Sequence, residues 1–176
     1  GKIVTGNGNG NENGNICENG NICENALDID TRENLVISNV TLKYSQSNNV
    51  AISYDGQLIG LAAGQQNRVD CVRLAGEKGK LWWCRQHPKV LELMELFKPE
   101  IKKQTKTNAI IRYIQNDFTE IEKNNWNTYF EKIPEPLLTN ERDSWFQENS
   151  SGFLASDGFF PFRDNIDVAS RWGVKY

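Results

Sequence analysis

Three stretches of this 176-residue chain gather side chains with the means to do chemistry. The first is Lys43-Tyr44-Ser45-Gln46-Ser47-Asn48-Asn49, a polar-tipped run between two apolar segments. Sites are often built from such runs at the ends of sheet elements. An Asn amide there has donors for an oxygen that gains negative charge in acyl transfer. Residue types alone favour the plainer alternative, an ordinary polar connection. The second stretch is Ala63-Gly64-Gln65-Gln66-Asn67-Arg68, where a strand runs through Gly into a helix start. Free backbone N–H groups and the Arg fork converge there, which suits an anionic group. Its Gly pattern is neither a Walker loop nor a dinucleotide fingerprint. Arg68 sits where the helix macrodipole prefers acids, so either an anion meets it or it is a solvated surface Arg. The third stretch is Ser156-Asp157-Gly158-Phe159-Phe160-Pro161-Phe162-Arg163-Asp164-Asn165. Three Phe around a Pro make a rigid apolar wall on which a flat heteroaromatic ring can stack, with Asp164 to take its N–H groups. The alternative, ahead on residue chemistry alone, is a core-packing corner with Asp164 as a helix cap.

The remaining reactive residue types point to structure. His87 is the sole His and has no Ser or Cys neighbour to make a nucleophile pair. Cys71 and Cys84 read as small buried hydrophobes on a helix. Cys17 and Cys23 stand six residues apart among Asn and Gly, a weak pattern for zinc that repeat expansion explains. The His-x-Glu and Pro-Cys-x-x-Cys signature of a zinc deaminase is missing from the sequence, so no zinc site is expected.

The elements that must carry these stretches belong to an α/β fold. Hydrophobic residues at 38% and aromatics at 10% supply a core, which excludes wholesale disorder. A net charge of −3 speaks against a global grip on nucleic acid or an anionic membrane. No run of 18 apolar residues is present, so no transmembrane helix is expected. The N-terminal stretch shows no targeting pattern, and the cytosol is the default compartment. Residues 6–25 hold eight Asn and five Gly, with Asn-Ile-Cys-Glu-Asn repeated at 15–19 and 21–25. Residues 1–28 are accordingly expected to be a low-complexity, disordered insertion. Residues 29–176 are expected to form a single layered subdomain. The apolar segment 35–42 is ambiguous between strand and buried helix. Val50 to Tyr54, Asp55-Gly56, then Leu58 to Ala62 predicts a hairpin. Helices are expected over about 66–85, 90–97, 107–118 and 120–132, from Thr139 as N-cap through Phe146, and from Arg163 or Asp164 to a Gly173 cap. Residues 153–155 and 174–176 read as strands, the second cut short, which suggests a β-α-β unit in a fragment.

The three stretches, together with Leu74-Ala75-Gly76-Glu77-Lys78 and Trp82-Trp83, resemble in order and spacing the transformylase part of the bifunctional AICAR transformylase/IMP cyclohydrolase family. The likeness runs from about residue 30 to the last residue. It implies a three-layer α/β/α, cytidine-deaminase-like half-domain, incomplete at both ends and without the deaminase zinc. It implies transfer of a formyl group from 10-formyltetrahydrofolate to the 5-amino group of AICAR in purine (IMP) biosynthesis, at a homodimer interface in the cytosol. By position it makes Asn48 catalytic and AICAR-binding, and Arg68 AICAR-binding. It places Val69, Phe159, Pro161, Phe162, Asp164 and Asn165 at the folate site. Ser45, Ser47 and Asp157 match the ligands of a potassium-like cation.

Several departures matter. The family's catalytic Lys-His pair is not in this chain, nor are the cyclohydrolase domain and a further phosphate-binding Arg. Asn49 and Asn67 stand where the family pattern has Ser. The chain alone is therefore expected to be inactive, because proton transfer from the attacking amine lacks its His and Lys. The alternative is a non-catalytic folate- or nucleotide-binding module. A third idea is a scaffold that uses the Asn/Gly arm for assembly.

Overall fold

The computed structural model describes residues 28–160 and 162–175. The disorder expected of the Asn/Gly segment, Cys17 and Cys23, and the folate position Pro161 all lie outside them. Asp28, placed at the end of that segment by composition, caps the first helix: its carboxylate accepts from the Thr31 N–H at 2.7 Å. The ambiguous segment is helical, α1 (Ile29–Lys43). Leu35, Ser38 and Leu42 are buried along one face, while Val36 and Val40 stay exposed, the spacing of a helix.

The hairpin forms as expected, β1 (Val50–Tyr54) and β2 (Gln57–Ala62). Asp55 and Gly56 both take positive φ, 48° and 64°, as the tight turn that suits twisted strands requires. β3 (Phe153–Ser156) pairs antiparallel with β1 on its other side, giving the order β2-β1-β3. Side chains alternate across the sheet. Ala51, Ala155 and Leu61 meet Leu42 of α1, and Ser53 on the same face is hydrogen-bonded to Ser38 and to the Asn34 carbonyl, both at 2.8 Å. The opposite face carries Ile52 and its partner Gly60. There α2 (Arg68–Cys84) comes so close that a Cβ on Gly60 would lie 2.2 Å from the Ala75 carbonyl oxygen. Helices thus cover both faces of the sheet, the three layers expected. A further helix, α7 (Asp164–Arg171), is capped by Trp172 and followed by Gly173 with φ 71°. Gly152 and Val174 then form a parallel bridge, so the β-α-β reading of 153–174 holds to that extent.

The chain divides into two compact units where one subdomain over 29–176 is expected. The first ends at Gly79 and resumes at Ser151; the second is Lys80–Ser150. The second is helical: α3 (Pro88–Glu95), α4 (Lys103–Gln115), α5 (Glu120–Asn127) and α6 (Thr139–Asn149). Its core is aromatic. Trp126 stacks on Tyr113 at 5.8 Å and meets Phe118 and Phe130 at 5.2 and 4.5 Å. Its Nε1–H donates to the Ala109 carbonyl at 3.0 Å. α4 starts four residues earlier than its apolar stripe suggested and stops at Asn116, which takes φ 54°; Asn tolerates that conformation. α5 ends at Asn127, short of the expected 132. Thr139 is the first helical residue of α6, not its cap; Leu138 holds the cap position without a side-chain bond.

His87 is structural, as its surroundings implied. It is the N-cap of α3, with Pro88 in the first turn, and its Nδ1 accepts from the Lys89 N–H at 3.1 Å. The imidazole is 4% exposed and packs on Trp145. Burial holds its pKa below the ordinary 6.5, and the capping bond needs Nδ1 unprotonated. Unfolded chains then bind this proton more readily than folded ones, so stability falls as pH drops through about 6.5. Denaturant unfolding from pH 8 to 5 should show that loss, and His87→Asn, which caps without titrating, should flatten it.

Candidate functional site

The residues of the three polar stretches meet at one end of the first unit. Residues 44–49 leave α1 and enter β1. Residues 63–67 join β2 to α2. Residues 157–163 join β3 to α7. Backbone bonds tie the first two loops: the Gly64 N–H donates to the Gln46 carbonyl at 2.8 Å and the Gln65 N–H to the Asn48 carbonyl at 3.3 Å. Gly64 takes φ 67° to make this turn, the reason for Gly at that position.

Asn48 is locked into this junction. Its Nδ2 donates to the Gln65 and Gln66 carbonyls at 3.0 and 3.3 Å. From beneath, the fully buried Cys71 thiol donates to the Asn48 main-chain carbonyl at 3.1 Å. Burial pushes that thiol's pKa up, which keeps it protonated and unreactive. Both amide donors of Asn48 are thus spent on main-chain oxygens. The end left for a ligand is Oδ1, an acceptor, where sequence reasoning looked for a donor.

Arg68 is the first residue of α2 and is 14% exposed at its side chain. The anion it calls for is present within the chain: its Nη1 makes an ion pair with Asp157 and also donates to the Asn49 carbonyl at 3.2 Å. Asp157 accepts in addition from the Asn49 N–H at 3.2 Å. Burial works to raise the Asp157 carboxyl, but bonds from Ser47, Arg68 and Asn49 outweigh it and hold it below the ordinary carboxylate range. Asn67, where the family pattern has Ser, caps α2 with equal effect: its Oδ1 accepts from the Asp70 N–H at 2.8 Å. Asn49 is buried and donates to the Leu42 and Ser45 carbonyls at 3.1 and 2.9 Å.

Two of the three Phe in the third stretch are not packed into a core. Phe159 and Phe162 are 84% and 70% exposed. Asp164 opens α7 but makes no capping bond to the backbone; its carboxylate accepts from Asn165 Nδ2 at 2.9 Å. Asn165 itself is buried, and its Oδ1 has no hydrogen-bond partner among the described residues. Such an acceptor is costly unless something donates to it. Val69, the residue after Arg68, is half-buried.

Ser45, matched to a cation ligand, spends its hydroxyl proton on the Thr41 carbonyl at 2.8 Å. Among the described residues no cluster of three His, Cys, Asp or Glu side chains is placed to hold a metal, and no helix is long and apolar enough to cross a membrane.

A comparison with protein families bears on two of these loops. Residues 11–78 match the family model described as AICARFT/IMPCHase bienzyme. Over that stretch the chain is similar to the bifunctional AICAR transformylase/IMP cyclohydrolase family. The match begins inside the Asn/Gly-rich segment and takes in the Asn48 and Arg68 loops. Residues 157–165 lie outside it. The α/β architecture of the chain is compatible with this likeness, and the family matched is a bifunctional enzyme of purine biosynthesis.

Proposed function

We propose that these residues form part of the formyl-transfer site of the bienzyme, and not its cyclohydrolase site. The observation that carries this reading is the convergence of Asn48, Arg68 and Asp157 from three separate loops, beside two exposed Phe side chains. In the reaction, the 5-amino nitrogen of AICAR attacks the formyl carbon of 10-formyltetrahydrofolate. The new C–N bond replaces the bond from that carbon to folate N10, and the proton released by the amine ends on N10.

Asn48 Oδ1 is the free end of a clamped amide. It accepts from the attacking amine and orients its lone pair toward the formyl carbon. Among the described residues Arg68 spends only Nη1, which leaves Nε and Nη2 to hold the nucleotide. Phe159 and Phe162 give the pterin a stacking face. Asp164 accepts from its ring N–H groups, its carboxylate oriented by Asn165 Nδ2 at 2.9 Å, with Val69 lining the same side. Proton transfer comes from a Lys and a His outside these 176 residues, in a cytosolic homodimeric enzyme. For a potassium-like ion at Ser45, Ser47 and Asp157, the donors are oxygens, as a hard cation prefers. Arg68 already balances the Asp157 charge, so such an ion would add little here and no step is derived through it.

A non-catalytic binding module is the second reading, favoured by the lack of a Lys-His pair in this sequence. Ligand titration of the chain tests the site under both. AICAR is expected to bind, and Arg68→Ala to weaken it about 10- to 100-fold, the worth of a charge-assisted hydrogen bond. Failure of AICAR to bind at millimolar concentration would contradict the site. Formyl transfer that needs added Lys-His-bearing protein supports the enzyme over the module; no transfer in the whole gene product supports the module.

A further inference from the structure

We propose that Asp157 is a positioning residue: it aims the Arg68 guanidinium at the nucleotide and acts on binding only through that Arg. The inference rests on the AICAR-binding reading of Arg68. Arg68 is placed at the positive end of α2, where a cation is disfavoured. A flexible Arg would leave that position for solvent unless something held it. Asp157 does so. Its carboxylate takes Nη1 on one edge of the fork, and the Asn49 carbonyl takes the same nitrogen at 3.2 Å. The carboxylate is itself fixed by the Asn49 N–H at 3.2 Å, and the Asp157 N–H reaches back to the Asn49 carbonyl at 3.5 Å. The side chains are 14% and 22% exposed, so the pair is sheltered. Gly158 completes the fit: a Cβ there would lie 2.7 Å from Arg68 Nη2. One edge of a planar, rigid fork is thereby anchored. Its three other N–H groups, on Nε and Nη2, keep a set direction.

Sign separates this role from a purely electrostatic one. If Arg68 served only as charge, neutralising its partner with Asp157→Asn would raise local positive potential and tighten AICAR, which carries a phosphate. If Asp157 positions the fork, the same change weakens AICAR, because the guanidinium must be ordered at binding. The test is a double-mutant cycle by titration with AICAR, with thermal unfolding of each variant to confirm folding. Asp157→Asn is expected to weaken AICAR about tenfold in the wild-type background and to leave affinity unchanged in an Arg68→Ala background. Unchanged or tighter binding by Asp157→Asn, or the same loss in both backgrounds, overturns the positioning role while the Arg68 assignment stands. AICAR binding unaltered by Arg68→Ala overturns the site reading, and the positioning role with it. If Asp157→Asn does not fold, Asp157→Glu carries the test: it keeps the charge but moves it by one methylene, and the same loss confined to the Arg68 background is expected.

Discussion

Asn48→Ala is expected to lower kcat for formyl transfer about 100-fold in the gene product that carries this chain, the scale on which misplacing a reacting group by an ångström acts. The reason is the way Asn48 is held. Two carbonyls, those of Gln65 and Gln66, fix its amide nitrogen, and the Cys71 thiol holds its main-chain oxygen. Such a side chain cannot follow a wandering substrate; it sets where the amine must be. Folate affinity should change little, since the exposed Phe159 and Phe162 belong to a different loop. Asn48→Asp keeps an acceptor oxygen but turns a carboxylate on the same two carbonyls, so it should be no better than Ala. Steady-state kinetics with both substrates varied check this. A kcat unchanged by Asn48→Ala removes the residue from the chemistry.

Trp126→Ala is expected to cost the helical unit about 3–5 kcal/mol, the range for emptying a large aromatic site. Trp126 is 7% exposed and touches three other rings. Truncation also removes the indole N–H bond to the Ala109 carbonyl at 3.0 Å, which keeps its place in the α4 backbone ladder. Trp126→Phe refills much of the volume and loses only the indole hydrogen bond, so it should cost about 0.5–1.5 kcal/mol. Urea unfolding followed by far-ultraviolet circular dichroism measures both. A loss under about 1 kcal/mol for the Ala variant would mean that the cluster is not a packed core.

What was legible from sequence, and what was not, follows from the range of each interaction. The hairpin was readable because Asp55-Gly56 encodes its own turn. α1 was not, because Leu35-Val36-Ile37 is as apolar as a strand, and only the burial of Ser38 and Asn34 against Ser53 shows which face is inside. The exposure of Phe159 and Phe162 went against what their residue type suggests. The residues of the first two loops were singled out by local composition and by resemblance. Their bonding was not, since it joins positions far apart in the chain. The anion that Arg68 called for proved to be Asp157, 89 positions away. The clamping of the Asn48 amide by residues 65 and 66 likewise reverses the polarity that the side chain presents.

The most direct test of the central claim, that these loops bind the two substrates of formyl transfer, is amide hydrogen exchange with and without each ligand. AICAR is predicted to slow exchange at residues 46–49 and 65–71. 10-Formyltetrahydrofolate is predicted to slow it at 158–166. Residues 80–150 should be unaffected by either. Saturating ligand that leaves all three loops unchanged, or protects only residues 80–150, would contradict the account.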